Sequence, residues 1–370
     1  MWGTKGKGNA QFNLTVDAVR DSSRNIFVVD AWNNRIQKFH LSNPCTAGTT
    51  QVVPGVCFVT KWGSLGSADG QFNVPIGIAL DSSGNVYVAD VFNHRIQKFT
   101  NDGTFIRSWG SVGSGNGQFL NPSDVAVDSS GNVYVVDQSN NRTQKFGSDG
   151  HFIRAWGTKG TGKGEFNMPQ GVAVDSSGNV FVSDSLNGRV QKFSNTGSFI
   201  TAWIQHGPGT GIRTFPYGIA VDSVGNVYVE FSFNNRIEKF TNNGTFVDSW
   251  GEKGTGNGQF NFPSGIDVVT PQAAQIKQYV FVSDESNNRI QVFEWKPVAH
   301  QFIGPTNNTN VISLANNTFI KGIDNNTATG ATMNNTIAIN ATAANATAAN
   351  GIGSLENNTT AVNSIGNSTK

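Results

Sequence analysis

Gly77-Ile-Ala-Leu-Asp81, Ser82-Ser-Gly-Asn85, Val86-Tyr-Val-Ala-Asp90, Arg95-Ile-Gln-Lys-Phe99 and Phe105-Ile-Arg-Ser-Trp109 follow one another in a single short stretch of the chain. The first, third, fourth and fifth segments alternate apolar with small or polar side chains, as pleated strands require. Ser82–Asn85 and Asn101-Asp102-Gly103 supply the turn residues between them, the second set tolerant of positive φ. The stretch therefore predicts four short antiparallel strands. Its first-turn Asp returns at Asp128, Asp175 and Asp222, each step being 47 residues. A period of this length marks an array of supersecondary units, none of which can bury its apolar face alone. Four antiparallel strands per unit, with edges covered by neighbours, is the logic of a β-propeller blade.

One Arg marks each unit: Arg35, Arg95, Arg142, Arg189, Arg236 and Arg289. The fold class expected is all-β, a six-bladed propeller of four-stranded antiparallel blades, followed by a disordered C-terminal tail. The propeller is assigned to residues 1–304 and the tail to 305–370. In the last repeat, Phe293–Gly304 aligns with Phe240–Gly251, which places Ile303 where Trp250 stands. Met1-Trp2-Gly3 reads as the end of a preceding fourth strand, a short overlap at the closure.

Pro75-Ile-Gly-Ile-Ala-Leu-Asp-Ser-Ser-Gly-Asn-Val-Tyr-Val-Ala-Asp90, followed by Asn93-His94-Arg95-Ile-Gln-Lys-Phe99, resembles the NHL repeat. The resemblance covers about four fifths of the chain and implies a six-bladed ring. It implies function only loosely: the family includes protein- and RNA-binding modules, sensor domains of bacterial receptors and, more distantly, lyases and lactonases, and a fold does not choose among them.

Composition narrows the field. Only 14% of the 370 residues are charged and the net charge is +1, whereas dedicated nucleic-acid binders carry a basic excess. The propeller portion holds 24 basic and 23 acidic side chains, leaving little counterion-release drive. No run of about 18 apolar residues predicts a membrane span. The N-terminal Met-Trp-Gly-Thr-Lys-Gly has no apolar h-region, so this chain shows no signal peptide; the chain is cytoplasmic or lacks a leader it once had.

In the layout the resemblance implies, connections from strand four to one and from two to three share one face, here called the top. Both clear length changes, at Ser42–Val56 and Pro271–Gln278, fall on the bottom, while the top loops keep constant length. The two residues after each strand-two Asp vary: Ala31-Trp32, Val91-Phe92, Gln138-Ser139, Ser185-Leu186, Ser232-Phe233 and Glu285-Ser286. Trp32, Phe92, Leu186 and Phe233, with Phe231 in place of the Asp of repeat five, are the candidate partner-binding residues, since exposed apolar clusters mark binding surfaces. The competing reading folds each ring back onto the adjacent blade. Asp30, Asp90, Asp137, Asp184 and Asp284 each precede an Arg by five residues, and we read these pairs as amide caps and ion pairs serving the blade. Trp62, Trp109, Trp156, Trp203 and Trp250 are read as packing.

Departures from the repeat carry the remaining chemistry. The Gly opening strand one, as at Gly77, Gly171, Gly218 and Gly265, is Asp17 in repeat one and Asp124 in repeat three, and Glu230 stands where other repeats hold small or apolar residues. Asp17, Asp124 and Glu230 form a candidate metal site near the top of the channel, with oxygen ligands suited to Ca²⁺. Otherwise no cofactor is expected. The five His residues occupy unrelated repeat positions, so no zinc pair, general base or other catalytic residue is assigned. The glycine-rich connections lead into strands rather than helices, which excludes a phosphate loop.

Cys45 and Cys57 lie 12 positions apart in the repeat-one insertion, where a disulfide would staple the excursion and imply an oxidising compartment. The 66 residues from Pro305 onward include 39 Asn, Thr or Ala, too little apolar surface to offset ordering entropy. They carry nine Asn-x-Ser/Thr sequons, at Asn307, Asn316, Asn325, Asn334, Asn340, Asn345, Asn357, Asn358 and Asn367, the composition of a glycosylated stalk. The function expected is a non-catalytic, monomeric interaction module, exported or at the cell surface, that binds a protein or other macromolecule through its top face. The opposing reading is a metal-dependent lyase or hydrolase using the channel, resembling streptogramin lyase, amidating lyase or gluconolactonase propellers. RNA binding is a third, which the charge balance disfavours.

Overall fold

Val, Ile, Phe and Tyr at alternate positions drive the strands, and the turn residues set where each one stops. The computed structural model of the chain describes residues 1–204, 215–269 and 278–295, together with the backbone of a hairpin that pairs Val311–Leu314 with Thr318–Lys321. The remainder of the tail, with its sequons, and residues 271–277 of the repeat-six insertion lie outside the described residues.

Six blades surround a channel. Blade two runs Pro75–Leu80, Val86–Asp90, Arg95–Phe99, Phe105–Trp109 from the channel outward, each strand antiparallel to the next. Blades three, four and five repeat this order with inner strands at Pro122–Val127, Pro169–Val174 and Pro216–Val221. Blade one starts at Thr15–Arg20 and gains a fifth, outermost strand, because Thr50–Val53 of the insertion pairs with Val56–Trp62. Cys45 and Cys57, joined by a disulfide with Cα atoms 5.7 Å apart, tie this excursion to the blade. Blade six contributes Pro263–Val269, Gln278–Asp284 and Arg289–Trp295. The six inner strands touch in sequence around the ring, the last against the first.

The N-terminus closes that ring. Trp62 pairs with Ile36, Trp109 with Ile96 and Trp250 with Ile237, and in blade six the partner of Ile290 is Trp2. Two backbone hydrogen bonds make the pair, Trp2 N–H to Ile290 O at 3.1 Å and Ile290 N–H to Trp2 O at 2.8 Å. The strand expected from Phe293–Gly304 falls largely outside the described residues, and the position opposite Ile290 is filled from the other end of the chain.

Each fourth-strand Trp spans two blades. Trp109 packs edge-on against Tyr87 of its own blade, 6.2 Å between centroids, and tilts against Phe146 of the next, at 6.1 Å. Gly150, in the turn of that next blade, lies on the indole with φ +83°, and a Cβ there would come within 2.8 Å of the ring. The aromatic side chains and the turn glycine are therefore one packing device.

Candidate functional site

The repeated Asp is buried beneath the top loops and does not face a ligand. Asp137 accepts the Leu120 N–H at 2.8 Å, Arg142 Nε at 2.7 Å and Gln144 Nε2 at 3.1 Å, besides the Asn140 amide. Arg142 then donates to the carbonyls of Ser114, Gly115 and Gln118, which pins the glycine-rich connection to its blade. Blades one, two, four and six hold their Asp–Arg pairs in the same way. The residue after each top turn adopts a left-handed conformation, and where it is Asn its side chain latches the neighbouring blade, as where Asn34 Oδ1 accepts the Val74 N–H at 2.9 Å.

Blade five breaks this network and rebuilds it. Phe231 takes the place of the Asp, and Glu238 takes the place of the Gln that bonds to it elsewhere; Arg236 pairs with Glu238 and lies 5.8 Å from the Phe231 ring centroid. The carboxylate has moved from strand two to strand three. Phe231, expected at the binding surface, is fully buried in the core with Val229 and Phe240, and that assignment is corrected. Its backbone aims the side chain inward as the Asp it replaces is aimed.

The other four apolar candidates do reach solvent. Trp32 is 60% exposed, Phe92 54%, Leu186 44% and Phe233 59%, each as the middle residue of a single-turn 3-10 helix on the top face. The residue before each points inward: Ala31, Val91, Ser185 and Ser232 are buried. Phe233 is part of an aromatic cluster that the repeat pattern did not disclose. Its centroid lies 5.5 Å from Phe215, 6.0 Å from Tyr217 and 5.0 Å from Phe262. Phe215 and Phe262 are the residues preceding the inner-strand prolines, and Tyr217 is the second residue of its inner strand.

Below this face a cavity of about 360 Å³ opens along the channel, lined by all six inner strands. Asp17 and Asp124 sit in it as inter-blade struts. Asp17 Oδ1 accepts the Ala18 N–H at 2.8 Å and Oδ2 the Ile78 N–H of blade two at 3.0 Å. Asp124 repeats this with Val125 and, in blade four, Val172, both at 2.8 Å. Each packs on a glycine of the preceding blade: a Cβ at Gly265 would lie 2.5 Å from Asp17 Cα, and one at Gly77 equally close to Asp124 Cα. Glu230 completes the pattern from strand two of blade five, its Oε2 occupying the space a side chain at Gly218 would need. Three carboxyl groups thus come from alternate blades, one, three and five.

Burial dominates their acidity. It holds Asp17 well above the ordinary carboxyl range, helped by the charge of Asp124, and pushes Asp124 up to about 7 against the pull of its two amide donors. Glu230 is fully buried and neither oxygen makes a hydrogen bond of ordinary geometry, although the Gly218 amide approaches; burial, then Asp17, Glu285 and Asp124, drive its acidity far down. Glu285, in the variable pair of repeat six, lines the cavity and is pushed up to about 7 by burial, with the Ser264 hydroxyl acting the other way. Lower in the channel Asp267 accepts the Arg20 N–H at 2.9 Å, and burial raises it to about 6. Asp17, Asp124 and Glu230 therefore share a level, yet among the described residues no three His, Cys, Asp or Glu side chains converge closely enough to hold one metal ion. A resident metal does not fit this donor set, because both Asp carboxylates are already committed to amides.

The NHL repeat family matches at residues 72–99, 119–146 and 166–193, within blades two to four, and a β-propeller repeat family matches at 199–229. Together with the six-bladed ring, these matches show what the blades are built from. The chain carries NHL repeats in a six-bladed β-propeller. Among curated proteins this chain is 47% identical over 45 residues to the B-box type zinc finger protein ncl-1 of Caenorhabditis elegans and 48% identical over 46 residues to the E3 ubiquitin-protein ligase TRIM32 of Homo sapiens. Each match covers 12% of this chain and 5% or 7% of the relative, so the likeness is of one repeat and the chain spans a small part of either protein. Among solved structures, a catalytically inactive virginiamycin B lyase from Staphylococcus aureus, solved with quinupristin, matches with TM-score 0.52 and 14% identity over 85% of this chain and 96% of that one. A gluconolactonase from Xanthomonas campestris matches with TM-score 0.52 and 13% identity over 74% and 84%. At such identities these likenesses show the fold alone.

Proposed function

We propose that this NHL propeller is a non-catalytic interaction module that binds a protein through its top face. The observation that carries the reading is the exposure of Trp32, Phe92, Leu186 and Phe233 on equivalent loops of four blades. Large apolar side chains that leave the core at matching places, on loops of constant length, form the kind of surface a partner covers. The blade it shares with an E3 ubiquitin-protein ligase agrees with an interaction role. The disulfide between Cys45 and Cys57 and the nine tail sequons support an exported or surface setting for the partner. Replacing Trp32 and Phe92 with Ser should weaken partner binding at least tenfold, as expected of anchor residues, with thermal stability unchanged. Undiminished binding by that variant would place the interface elsewhere.

A further inference from the structure

The top face is not uniform around its axis. At the junction of blades five and six the aromatic cluster of Phe215, Phe233, Phe262 and Tyr217 reaches the channel, because Tyr217 both touches the Phe233 and Phe262 rings and lines the cavity. Glu285 lines the cavity beside it; burial first, and then the charge of Glu285, raise the Tyr217 phenol. Behind them Glu230 is fully buried with neither oxygen in a hydrogen bond of ordinary geometry. Among the described residues, Glu230, Glu285, Asp17 and Asp124 stand against no cation at this level. Arg20, the basic residue lining the channel, is at the lower end with Asp267.

An aromatic wall facing unpaired carboxyl groups fits an organic cation. The described carboxylates do not converge as a metal requires, whereas 360 Å³ accommodates a side chain. A guanidinium suits the site better than an ammonium: it is planar, stacks on aromatic rings, offers several donors at fixed angles to carboxylates and loses less hydration on burial. Building on the top-face reading, we propose that the partner inserts an arginine side chain, flanked by apolar residues, into the channel mouth between Tyr217 and Glu285, with Asp124 adding opposing charge deeper in the channel.

Occupancy requires ionised carboxyls, so it follows their titration. Below pH 6 Glu285 and Asp124 hold protons; above pH 7 they are charged and attract the guanidinium. The test is calorimetry or NMR titration of the full chain with a blocked Ala-Phe-Arg-Leu-Ala peptide and its citrulline counterpart, which keeps the shape and removes the charge. The arginine peptide is expected to bind at least about tenfold more tightly than the citrulline peptide at pH 8, and to lose most of that margin at pH 5.5. Glu285→Gln, which installs the residue blade three holds at Gln138, should erase the margin without disturbing the fold; Tyr217→Gln, matching Gln170 of blade four, should reduce it. Equal binding of the two peptides, no binding of either, or a margin untouched by Glu285→Gln would overturn the arginine assignment, as would stoichiometric Ca²⁺ binding that excludes the peptide. If Trp32 and Phe92 prove necessary for partner binding while Glu285→Gln has no effect on it, the surface stands and only the arginine site fails.

Discussion

Phe231 and Glu238 show how a repeat tolerates a misfit. A partly buried Arg needs a carboxylate, and when strand two stops providing one, strand three does. Phe231→Asp alone would set a second buried acid beside Glu238 and should cost about 2–4 kcal/mol in urea denaturation. Glu238→Gln in the same chain restores the arrangement of the other blades and should recover at least about 1 kcal/mol through coupling. Strictly additive losses would show that the two positions do not share one network. Glu230 offers a second case. Its folded acidity is far weaker than that of a Glu in the unfolded chain, so the folded state binds more protons above about pH 4.5, and stability falls as pH rises through that range. Glu230→Ser copies blade four, where Ser183 Oγ accepts the Gly171 N–H at 2.7 Å. The variant should gain about 1–3 kcal/mol at pH 8 and little at pH 5. A gain that is equal at both values would contradict burial of an ionisable group as the cause.

Strands and turns were legible from the chain because each blade repeats the same period-two pattern with the same turn residues. The blade-six closure was not legible. Sequence alignment offered both Ile303 and Trp2 for one position, and only pairing distances distinguish them. The Trp2 ring packs 5.7 Å from Phe39 and shares a core with Phe12 and Ile290. Trp2→Ala should therefore destabilise the ring by about 3–5 kcal/mol and speed hydrogen exchange at the Ile290 amide, which now bonds to Trp2 O. Unchanged protection at Ile290 would mean that residues after Trp295 supply the strand instead. The aromatic cluster at blades five and six was equally hidden. Phe215, Tyr217 and Phe262 lie at ordinary repeat positions; the first two meet Phe233 within blade five, and only the packing of blade six against it brings in Phe262.

Across the whole molecule, what repeats serves the ring, and the side chains that depart from the repeat gather at its top end, opposite the blade-one insertion. Asp17, Asp124 and Glu230 were legible as departures, and the structure adds their common level on alternate blades and the amide bonds that occupy two of them. Glu285 was legible only as half of a variable pair, because whether a loop residue turns toward the channel depends on the turn's geometry. Phe231 was misread for the converse reason: an apolar departure beside exposed neighbours still follows the inward direction of its strand. The most direct test places a photo-crosslinking amino acid at Phe92 or Leu186 on the top, and at Thr104 or Ser198 in the strand-three to strand-four turns below, and exposes each to the native partner. Efficient crosslinking from the two top positions with none from the two bottom ones is the predicted result. Crosslinking confined to the bottom turns would contradict the assignment of the top face as the binding surface.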